Sequence, residues 1–198
     1  MSVIRLARQE DGDALEQLLA CSPHASFADR REWLQLMQRS YGFDQYTLIH
    51  EDHNGINALL NLTRSRHPLL GHYLATAPFF SFGGLLVQDE RRETMEALMN
   101  AAVKLRDDIG ADYLLIKQLL KEREPPPGWQ SKPIYATHIL DFDLPMKQYW
   151  QTRLDQKVRN QTRKSMKQNF TIQFGGRELL EDLWLCLLAT MRELGSPF

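Results

Sequence analysis

A run of positive charge late in the chain is the first feature with a chemical use. Residues 157–169, KVRNQTRKSMKQN, carry five cations and no anion in a chain of formal net charge −1. In a helix, Arg159, Arg163 and Lys167 recur at i, i+4 and i+8 and share one stripe. Like charges at this spacing cost roughly a few tenths of a kcal/mol per pair, so local helix stability does not explain them. The cations of this basic helix are Lys157, Arg159, Arg163, Lys164 and Lys167.

Three interpretations of the basic helix compete. It is a solvated face, as charge runs on helices usually are, or a site for the phosphates of a nucleotide-linked sugar or a tRNA. Phosphate oxygens match the forked donors of arginine. A nucleic-acid surface proper is the weakest interpretation, because the pI is about 6.6 and no aromatic residue interleaves the cations. The first two interpretations stay open on the residues alone.

Two further segments hold candidate binding residues. In PFFSFGGLL, the pair Gly83 and Gly84 indicates a bulge or a close approach of the backbone. The segment is either a structural bulge beside core aromatic residues or a substrate groove floored by Phe79, Ser81 and the two glycines. Arg192, in MRELGSPF, either complements the dipole of its own helix or binds an acceptor carboxylate or phosphate.

Metal and covalent chemistry are not indicated. The six histidines and two cysteines form no ligand set, so we expect no metal site. Cys21 and Cys186 each fall inside an apolar helical pattern, which predicts buried, reduced thiols. No nucleophile with a partnered base can be named, and the catalytic residues are left unassigned.

Composition sets the class of protein. A chain of 198 residues suffices for one domain, or for one domain and part of another. Hydrophobic residues at 43% and charged residues at 25% are typical of an ordinary globular protein. No apolar run approaches the roughly 18 residues of a membrane span, and MSVIRLARQEDGD has no apolar signal core. We therefore expect a cytoplasmic protein with no membrane span.

Hydrophobic periodicity predicts an α/β fold for residues 1–144, with a mixed sheet flanked by helices. The order is β-α-α-β-β-β-α-β-loop-β. Asn54-Gly55 predicts a hairpin with a primed turn, and Gly110 is suited to ending an amphipathic helix. The remaining segments are a first strand in SVIRLA, helices in GDALEQLLACS and around Trp33, an extended stretch in HYLATAPFFSFGGLLVQ, a buried strand in ADYLLIKQLL and a last strand in YATHILDFDL.

Residues 145–198 have a different character. Residues 146–168 follow one long helical pattern, FTIQF is a short strand, and RELLEDLWLCLLATMRELG is a helix that Gly195 ends. This last helix is apolar nearly all round, so it requires burial on several sides. It either packs on the first domain or on a second copy, or it opens a second domain whose remainder is absent.

The stretch KVRNQTRKSMKQNFTIQFGGRELLEDLWLCLLATMRELGSPF resembles FemAB-like proteins, especially those associated with PEP-CTERM and exopolysaccharide systems. The shared run is a Lys-x-Arg basic helix, a short strand, Gly-Gly, a Leu-rich helix and a Met-Arg-x-Leu-Gly-x-Pro ending. LGHYLATAPFFSFGGLL is similar to a further segment of that family. The resemblance implies two GNAT-like acyltransferase domains in tandem, the first at 1–144 and the opening of the second at 145–198.

The resemblance also implies a function. The family transfers acyl or aminoacyl groups to amines, and its best-known members build peptidoglycan cross-bridges. The amine here would belong to a cell-envelope or exopolysaccharide precursor. Recurrence of the basic helix in the family favours the phosphate interpretation, and the PFFSFGG segment would lie near the acceptor channel. Because the chain ends where the family continues, we expect it to contribute acceptor binding and to be inactive alone, or to be a non-catalytic binding or oligomerisation module.

We expect residues 1–144 to contain no site for the acyl donor. A GNAT-type domain would bind coenzyme A at the start of the helix near Arg91, where glycines let backbone amides face the pyrophosphate. VQDERRETMEAL has no glycine, and Asp89, Glu90 and Glu93 would repel phosphates. An acyl-CoA or aminoacyl-tRNA donor is therefore expected only with the rest of a second domain. The expected partners are a phosphate-bearing precursor of the UDP-sugar type, more weakly tRNA, and a second copy bound through the last helix.

Overall fold

The computed structural model describes residues 2–68, 71–88, 91–118, 125–132 and 140–196. The chain divides into two units, Met1–Thr137 and His138–Phe198. Residues 135–139 of the predicted strand YATHILDFDL lie outside the described residues, and residues 140–144 belong to no strand. A second GNAT-like domain opening at residue 145 stays a prediction.

The first unit is built on one mixed sheet in the order β1-β2-β3-β4-β6, with β5 also paired to β3. Neighbouring strands are antiparallel, except that β4 and β6 run parallel. This arrangement confirms the predicted α/β fold with a mixed sheet. The strands are β1 (Val3–Leu6), β2 (Asp44–Asp52), β3 (Gly55–His67), β4 (Gly71–Ala75), β5 (Leu85–Val87) and β6 (Tyr113–Leu115).

Helices cover both faces of this sheet. Successive residues of a strand point to opposite faces, so Leu59 and Leu60 enter two different cores. Leu60 packs with Leu98 of α3, whereas Leu59 packs with Leu18 of α1. These apolar contacts confirm the predicted amphipathic helices. The helices are α1 (Gly12–Cys21), α2 (Arg31–Tyr41) and α3 (Arg92–Asp108).

Gly110 ends α3 as the sequence predicted. Its φ is +65°, a left-handed conformation that glycine adopts without steric cost. The Gly110 N–H donates to the Asp107 carbonyl and the Ala111 N–H donates to the Arg106 carbonyl. This pair of bonds is the Schellman arrangement, which satisfies the last carbonyls of a helix.

The predicted extended stretch before α3 is interrupted. β4 pairs with residues 63–67 of β3 and β5 pairs with residues 58–60 of the same strand, so β4 and β5 are two parts of one interrupted strand. Residues 76–84 leave the sheet between them in turns and bends, and we call them the excursion. Gly83 and Gly84 stand where the chain returns to the sheet.

Two details of the predicted strands are wrong. β6 is not a buried strand, because Tyr113 and Leu115 are each 45% exposed and β4 is its one partner among the described residues. The hairpin turn consists of His53 and Asn54, neither of which has a positive φ, so it is not a primed turn. Gly55 instead opens β3 with φ +108°.

The cysteines are free, but the prediction that they are buried is wrong. Cys21 is the last residue of α1 and is exposed there. Cys186 is also exposed. It lies on a helix of the second unit that has no buried residue.

The second unit contains the helices α4 (Met146–Thr152), α5 (Gln156–Met166) and α6 (Leu180–Glu193). The prediction of one helix over 146–168 is wrong, because Asp155 has extended backbone angles and caps α5. Its carboxylate accepts a hydrogen bond from the Val158 N–H at 2.9 Å. FTIQF is not a strand, since it pairs with no other strand in the described part of the chain.

The apolar side chains of α6 are exposed. Leu183 is 63% exposed and Trp184 is 48% exposed, and no residue of α6 is buried. Among the described residues, α6 therefore lacks the burial on several sides that its apolar sequence predicts. None of the described helices is both long enough and apolar enough to cross a membrane.

An ion cluster joins β1 to the start of α1. The buried Asp11 carboxylate accepts hydrogen bonds from Arg5 Nη1 and Nη2 at 2.7 and 2.8 Å, and from the Arg8 N–H at 2.6 Å. Arg5 also pairs with Glu51 of β2 at 2.9 Å. The Arg5 hydrogen bonds, followed by the Arg8 N–H, lower the pKa of Asp11 from 3.8 to about 2. Folding therefore favours the ionised form of this carboxyl group.

Substituting Asp11→Asn should lower the free energy of unfolding by about 1–3 kcal/mol at pH 7, because Arg5 loses its charged partner. The stabilisation by Asp11 is complete above the unfolded pKa of 3.8 and is lost as the pH falls through about 2. The difference between variant and wild type should therefore shrink over that interval in thermal unfolding.

Glu10→Gln is the matched control, since Glu10 forms an exposed pair with Arg8 at 3.2 Å. Exposed pairs contribute about 0–1 kcal/mol. Equal losses for Asp11→Asn and Glu10→Gln would contradict the special role of Asp11.

Candidate functional site

Polar side chains occupy part of the sheet face that α1 and α2 cover. Ile49 and Leu59 fill the apolar part of this face, and Thr47 and Asn61 stand two residues along from them on β2 and β3. Asn61 is 4% exposed, and its Oδ1 accepts a hydrogen bond from Thr47 Oγ1 at 2.7 Å. Burial of polar groups on a sheet face is unfavourable without such partners.

Asp29 is the buried acid of this region, only 2% exposed. One carboxylate oxygen accepts from the Ser26 N–H at 2.8 Å and from Ser26 Oγ at 2.7 Å. The other oxygen accepts from the Gly84 N–H at 2.5 Å. The Asp29 carbonyl accepts from Asn61 Nδ2 at 3.3 Å. Asp29 thus connects the turn before α2, strand β3 and the excursion.

A cavity of about 190 Å³ opens beside Asp29. Its walls come from the connection between β1 and α1, from both helices and from the sheet. Asp29, Asn61 and Thr47 supply polar groups to this cavity, while the exposed side chains of Glu16, Arg8 and Arg31 supply charges at its mouth. Such a combination of apolar walls and a few polar groups is typical of a small-molecule site.

At Gly83 and Gly84 the backbone closely approaches other residues of the same chain, as the sequence predicted for one of its two alternatives. A Cβ on Gly84 would lie 2.6 Å from Thr76 Cβ and 2.9 Å from the Asn61 carbonyl oxygen. A Cβ on Gly83 would lie 2.8 Å from Ser26 Oγ. Gly83 and Gly84 are buried, so they do not floor an open groove directly. Gly84 contributes to the cavity beside Asp29 by holding the Asp29 carboxylate.

The excursion has an unusual backbone. Ala77 and Phe79 have φ angles of 46° and 66°, a region that residues with a side chain seldom occupy. Lys117 Nζ donates to the carbonyls of Ala77 and Phe80, each at 3.2 Å. Its backbone N–H donates to Thr76 Oγ1 at 2.8 Å. Burial lowers the pKa of Lys117. The lysine therefore holds the strained excursion against the end of β6.

Sequence reasoning predicted the close approach at Gly83 and Gly84 but missed the excursion from the sheet, and it also missed Asp29, Asn61 and Lys117. The one available signal for Lys117 was a lysine directly after the apolar run YLLI. Phe79 and Ser81, the other predicted groove residues, are exposed on the excursion. Phe79 packs against Tyr41 of α2 with a ring separation of 5.2 Å. The structure thus places the excursion residues close to α2.

The basic helix lies in the second unit. Its two arginines contact α4, and its lysines are exposed. Arg159 donates to the Leu154 carbonyl and, at 3.5 and 3.4 Å, to the carbonyls of Trp150 and Gln151 at the end of α4. Arg163 lies over the Trp150 ring at 5.9 Å. Trp150 of α4 thus lies beside the cations of α5, because α4 turns back onto α5.

Lys157, Lys164 and Lys167 are the exposed lysines of the basic helix, whereas Arg159 and Arg163 contact α4. Arg192 is exposed in the last turn of α6. Gly195 has φ +65° and ends α6, as predicted. Binding roles for these cations stay predictions. Within the described ranges, no group of His, Cys, Asp and Glu residues could hold a metal ion.

Comparisons with known proteins give structural likeness only. No protein-family model and no curated protein sequence matches the chain. A GNAT family acetyltransferase from Staphylococcus aureus is 14% identical with a TM-score of 0.44, over 70% of this chain and 98% of that one. Glucosamine-6-phosphate N-acetyltransferase from Arabidopsis thaliana is 15% identical with a TM-score of 0.46, over 71% and 99%. A probable acetyltransferase is 13% identical with a TM-score of 0.49, over 72% and 99%.

Replacing Lys164 and Lys167 together by Ala should weaken binding of UDP-N-acetylglucosamine by about tenfold, through loss of two charge-assisted contacts to phosphate. The melting temperature should not change, because both side chains are exposed. Calorimetric titration and thermal unfolding measure the two effects. The control is K104A/K132A, which removes two exposed lysines of the first unit; an equal loss of affinity there would leave only a non-specific charge effect and contradict the prediction.

Gly84→Ala should destabilise the first unit by about 1–3 kcal/mol more than Gly55→Ala, as measured by chemical unfolding. Both glycines have positive φ, +94° and +108°, so backbone strain is similar in the two variants. Only Gly84 meets neighbours, because no heavy atom lies within 4 Å of a Cβ on Gly55. Equal destabilisation would show that the close approach at Gly84 is unimportant.

Proposed function

We propose that this chain is the N-terminal, acceptor-binding part of a FemAB-like acyl or aminoacyl transferase. Its acceptor would be an amine-bearing precursor of the cell envelope or of an exopolysaccharide. The proposal is supported by the α/β fold, by the resemblance of residues 157–198 to that family, and by the cavity beside Asp29, which we call the acceptor cavity. The cavity is the observation that carries it, because it combines carboxylates with uncharged hydrogen-bonding groups.

An amine acceptor requires particular surroundings. In its ammonium form it is held by carboxylates and carbonyl or hydroxyl oxygens, and it must lose a proton before it attacks an acyl carbonyl. Glu16 at the mouth of the cavity supplies a carboxylate, and Thr47 Oγ1 and Asn61 Oδ1 supply neutral oxygens farther in. Arg8 and Arg31 at the mouth suit a carboxylate or phosphate elsewhere in the same acceptor.

The reaction itself needs no covalent enzyme intermediate. The amine nitrogen bonds to the acyl carbon, the bond from that carbon to its carrier oxygen or sulfur breaks, and the nitrogen proton passes to the leaving group or to solvent. Positioning the amine is the part of this chemistry that residues 1–144 would supply. The donor, an acyl-CoA or an aminoacyl-tRNA, would bind to the GNAT-like domain that begins at residue 145.

The basic helix fits the same proposal. Lys164 and Lys167 would contact the phosphates of a UDP-sugar-type precursor or, less favourably, of a tRNA. Arg192 would bind a further anionic group of the acceptor. The precursor, and therefore the protein, would be cytoplasmic.

A second candidate function is a non-catalytic module that binds a second copy or another protein. The exposed leucines of α6 favour it, since Leu183 and Leu185 are 63% and 57% exposed. Titration with donors and acceptors separates the two candidates. Binding of no acyl donor and no amine-bearing acceptor would favour the non-catalytic module.

Substituting Glu16→Gln should weaken the binding of an amine-bearing acceptor by about five- to tenfold, because one charge-assisted contact to the ammonium becomes neutral. The probe is a UDP-linked muropeptide that carries a free amine, and calorimetric titration measures its affinity. Stability should be unchanged, because Glu16 is exposed.

Asp13→Asn is the matched control, because Asp13 is an exposed acid of α1 that does not line the cavity. It should leave the affinity unchanged. Acetylation of the muropeptide amine should abolish the difference between Glu16→Gln and wild type. A Glu16→Gln variant with wild-type affinity for the free amine would refute the assignment of the acceptor cavity.

A further inference from the structure

A second concave site lies on the outer side of α2. A groove with a volume of about 340 Å³ runs along this helix and is open to solvent. Pockets that hold small ligands measure about 300–1,000 Å³, so the groove reaches the size of a small binding site. The residues that line this α2 groove are Phe27, Glu32, Trp33, Gln35, Leu36 and Arg39.

Aromatic rings build one end of the α2 groove. The Trp33 indole packs edge-on against Phe80 of the excursion at 5.0 Å and against Phe27 at 5.5 Å. Phe27 is nevertheless 57% exposed and Leu36 is 46% exposed. Exposed aromatic and aliphatic surface side by side offers a ligand a flat apolar wall, stabilised by contact with the C–H faces of the ligand.

The Trp33 indole nitrogen is buried without a hydrogen-bond acceptor among the described residues. An unsatisfied buried donor is rare in folded proteins and indicates a missing acceptor such as a ligand or an ordered water. Gln45 Nε2 is a second such donor, but Gln45 does not line the α2 groove. The indole nitrogen of Trp33 can only donate, so it requires an acceptor.

The polar groups around the apolar wall define the class of ligand. Glu32 and Arg39 carry opposite charges, so the α2 groove has no net charge to select a phosphate or a cation. Glu32 accepts hydrogen bonds, Arg39 donates them, and the Gln35 amide does both. A neutral ring that carries many hydroxyl groups matches this set, because it has apolar C–H faces and hydroxyls that both donate and accept.

We propose that the α2 groove binds a pyranose ring of the saccharide portion of the acceptor. The ring packs its C–H face on Phe27 and Leu36, and a hydroxyl oxygen accepts from Trp33 Nε1 once the indole turns outward. Glu32, Gln35 and Arg39 bond to the outer hydroxyls. This inference rests on the proposed function, since it names the sugar part of the acceptor whose amine enters the acceptor cavity.

The test is an NMR titration of the indole N–H resonances with N-acetylglucosamine oligosaccharides. The chain has four tryptophans, and the variant Trp33→Phe assigns the resonance of Trp33 by its disappearance. We expect this resonance alone to shift saturably. Trp33→Phe should bind the oligosaccharide at least fivefold more weakly, because the aromatic surface is largely kept and the donor is lost. Its melting temperature should be equal or higher, because an unsatisfied buried donor has been removed.

Two controls distinguish saccharide binding in the α2 groove from amine binding in the acceptor cavity and from nucleotide binding. N-acetylglucosamine oligosaccharides carry no free amine, so they report on the α2 groove even if the amine site in the acceptor cavity is refuted by Glu16→Gln. Glu32→Gln, which replaces an acceptor of the groove by a neutral amide, should also weaken binding. An unshifted Trp33 resonance, unchanged affinity in Trp33→Phe, or a shift with uridine nucleotides in place of saccharides would overturn the proposal.

Discussion

The buried carboxylate of Asp29 is the constraint on which the candidate site depends. A buried carboxylate is tolerated only when hydrogen bonds replace the water it has lost, and removing one of its partners is strongly unfavourable. Its donors come from two separate segments, Ser26 and Gly84. The turn before α2 and the end of the excursion must therefore keep one relative position. That position sets the inner wall of the acceptor cavity.

The same constraint explains the backbone of the excursion. Gly84 can bring its N–H to Asp29 only without a Cβ, because Thr76 and the Asn61 carbonyl occupy that space. The strained φ angles of Ala77 and Phe79 are offset by the two hydrogen bonds from Lys117. These contacts organise the acceptor cavity in the absence of a ligand, and such preorganisation reduces the entropy that any ligand of the cavity would lose on binding. The same hydrogen bonds hold Phe80 of the excursion against Trp33. They therefore position residues of both the acceptor cavity and the α2 groove.

The elements of the first unit could be predicted because they follow from local pattern. Alternation and helical spacing located β1, the hairpin and α1–α3, and glycines marked where α3 and α6 end. The site could not be predicted in the same way. Asp29 bonds to a residue 55 positions away and Lys117 to residues about 40 positions away, and no local pattern carries such contacts. The break before α5 was hidden because apolar spacing continues through the cap at Asp155.

The proposed function requires that the first unit binds the acceptor. The decisive experiment is amide chemical-shift mapping of the full chain with an amine-bearing UDP-linked muropeptide. If the acceptor enters the cavity, the largest first-unit perturbations should fall at Asn61, Gly84 and the segment 7–12 beside it. Perturbations confined to the second unit, with the amides around Asp29 unchanged, would refute acceptor binding in the cavity.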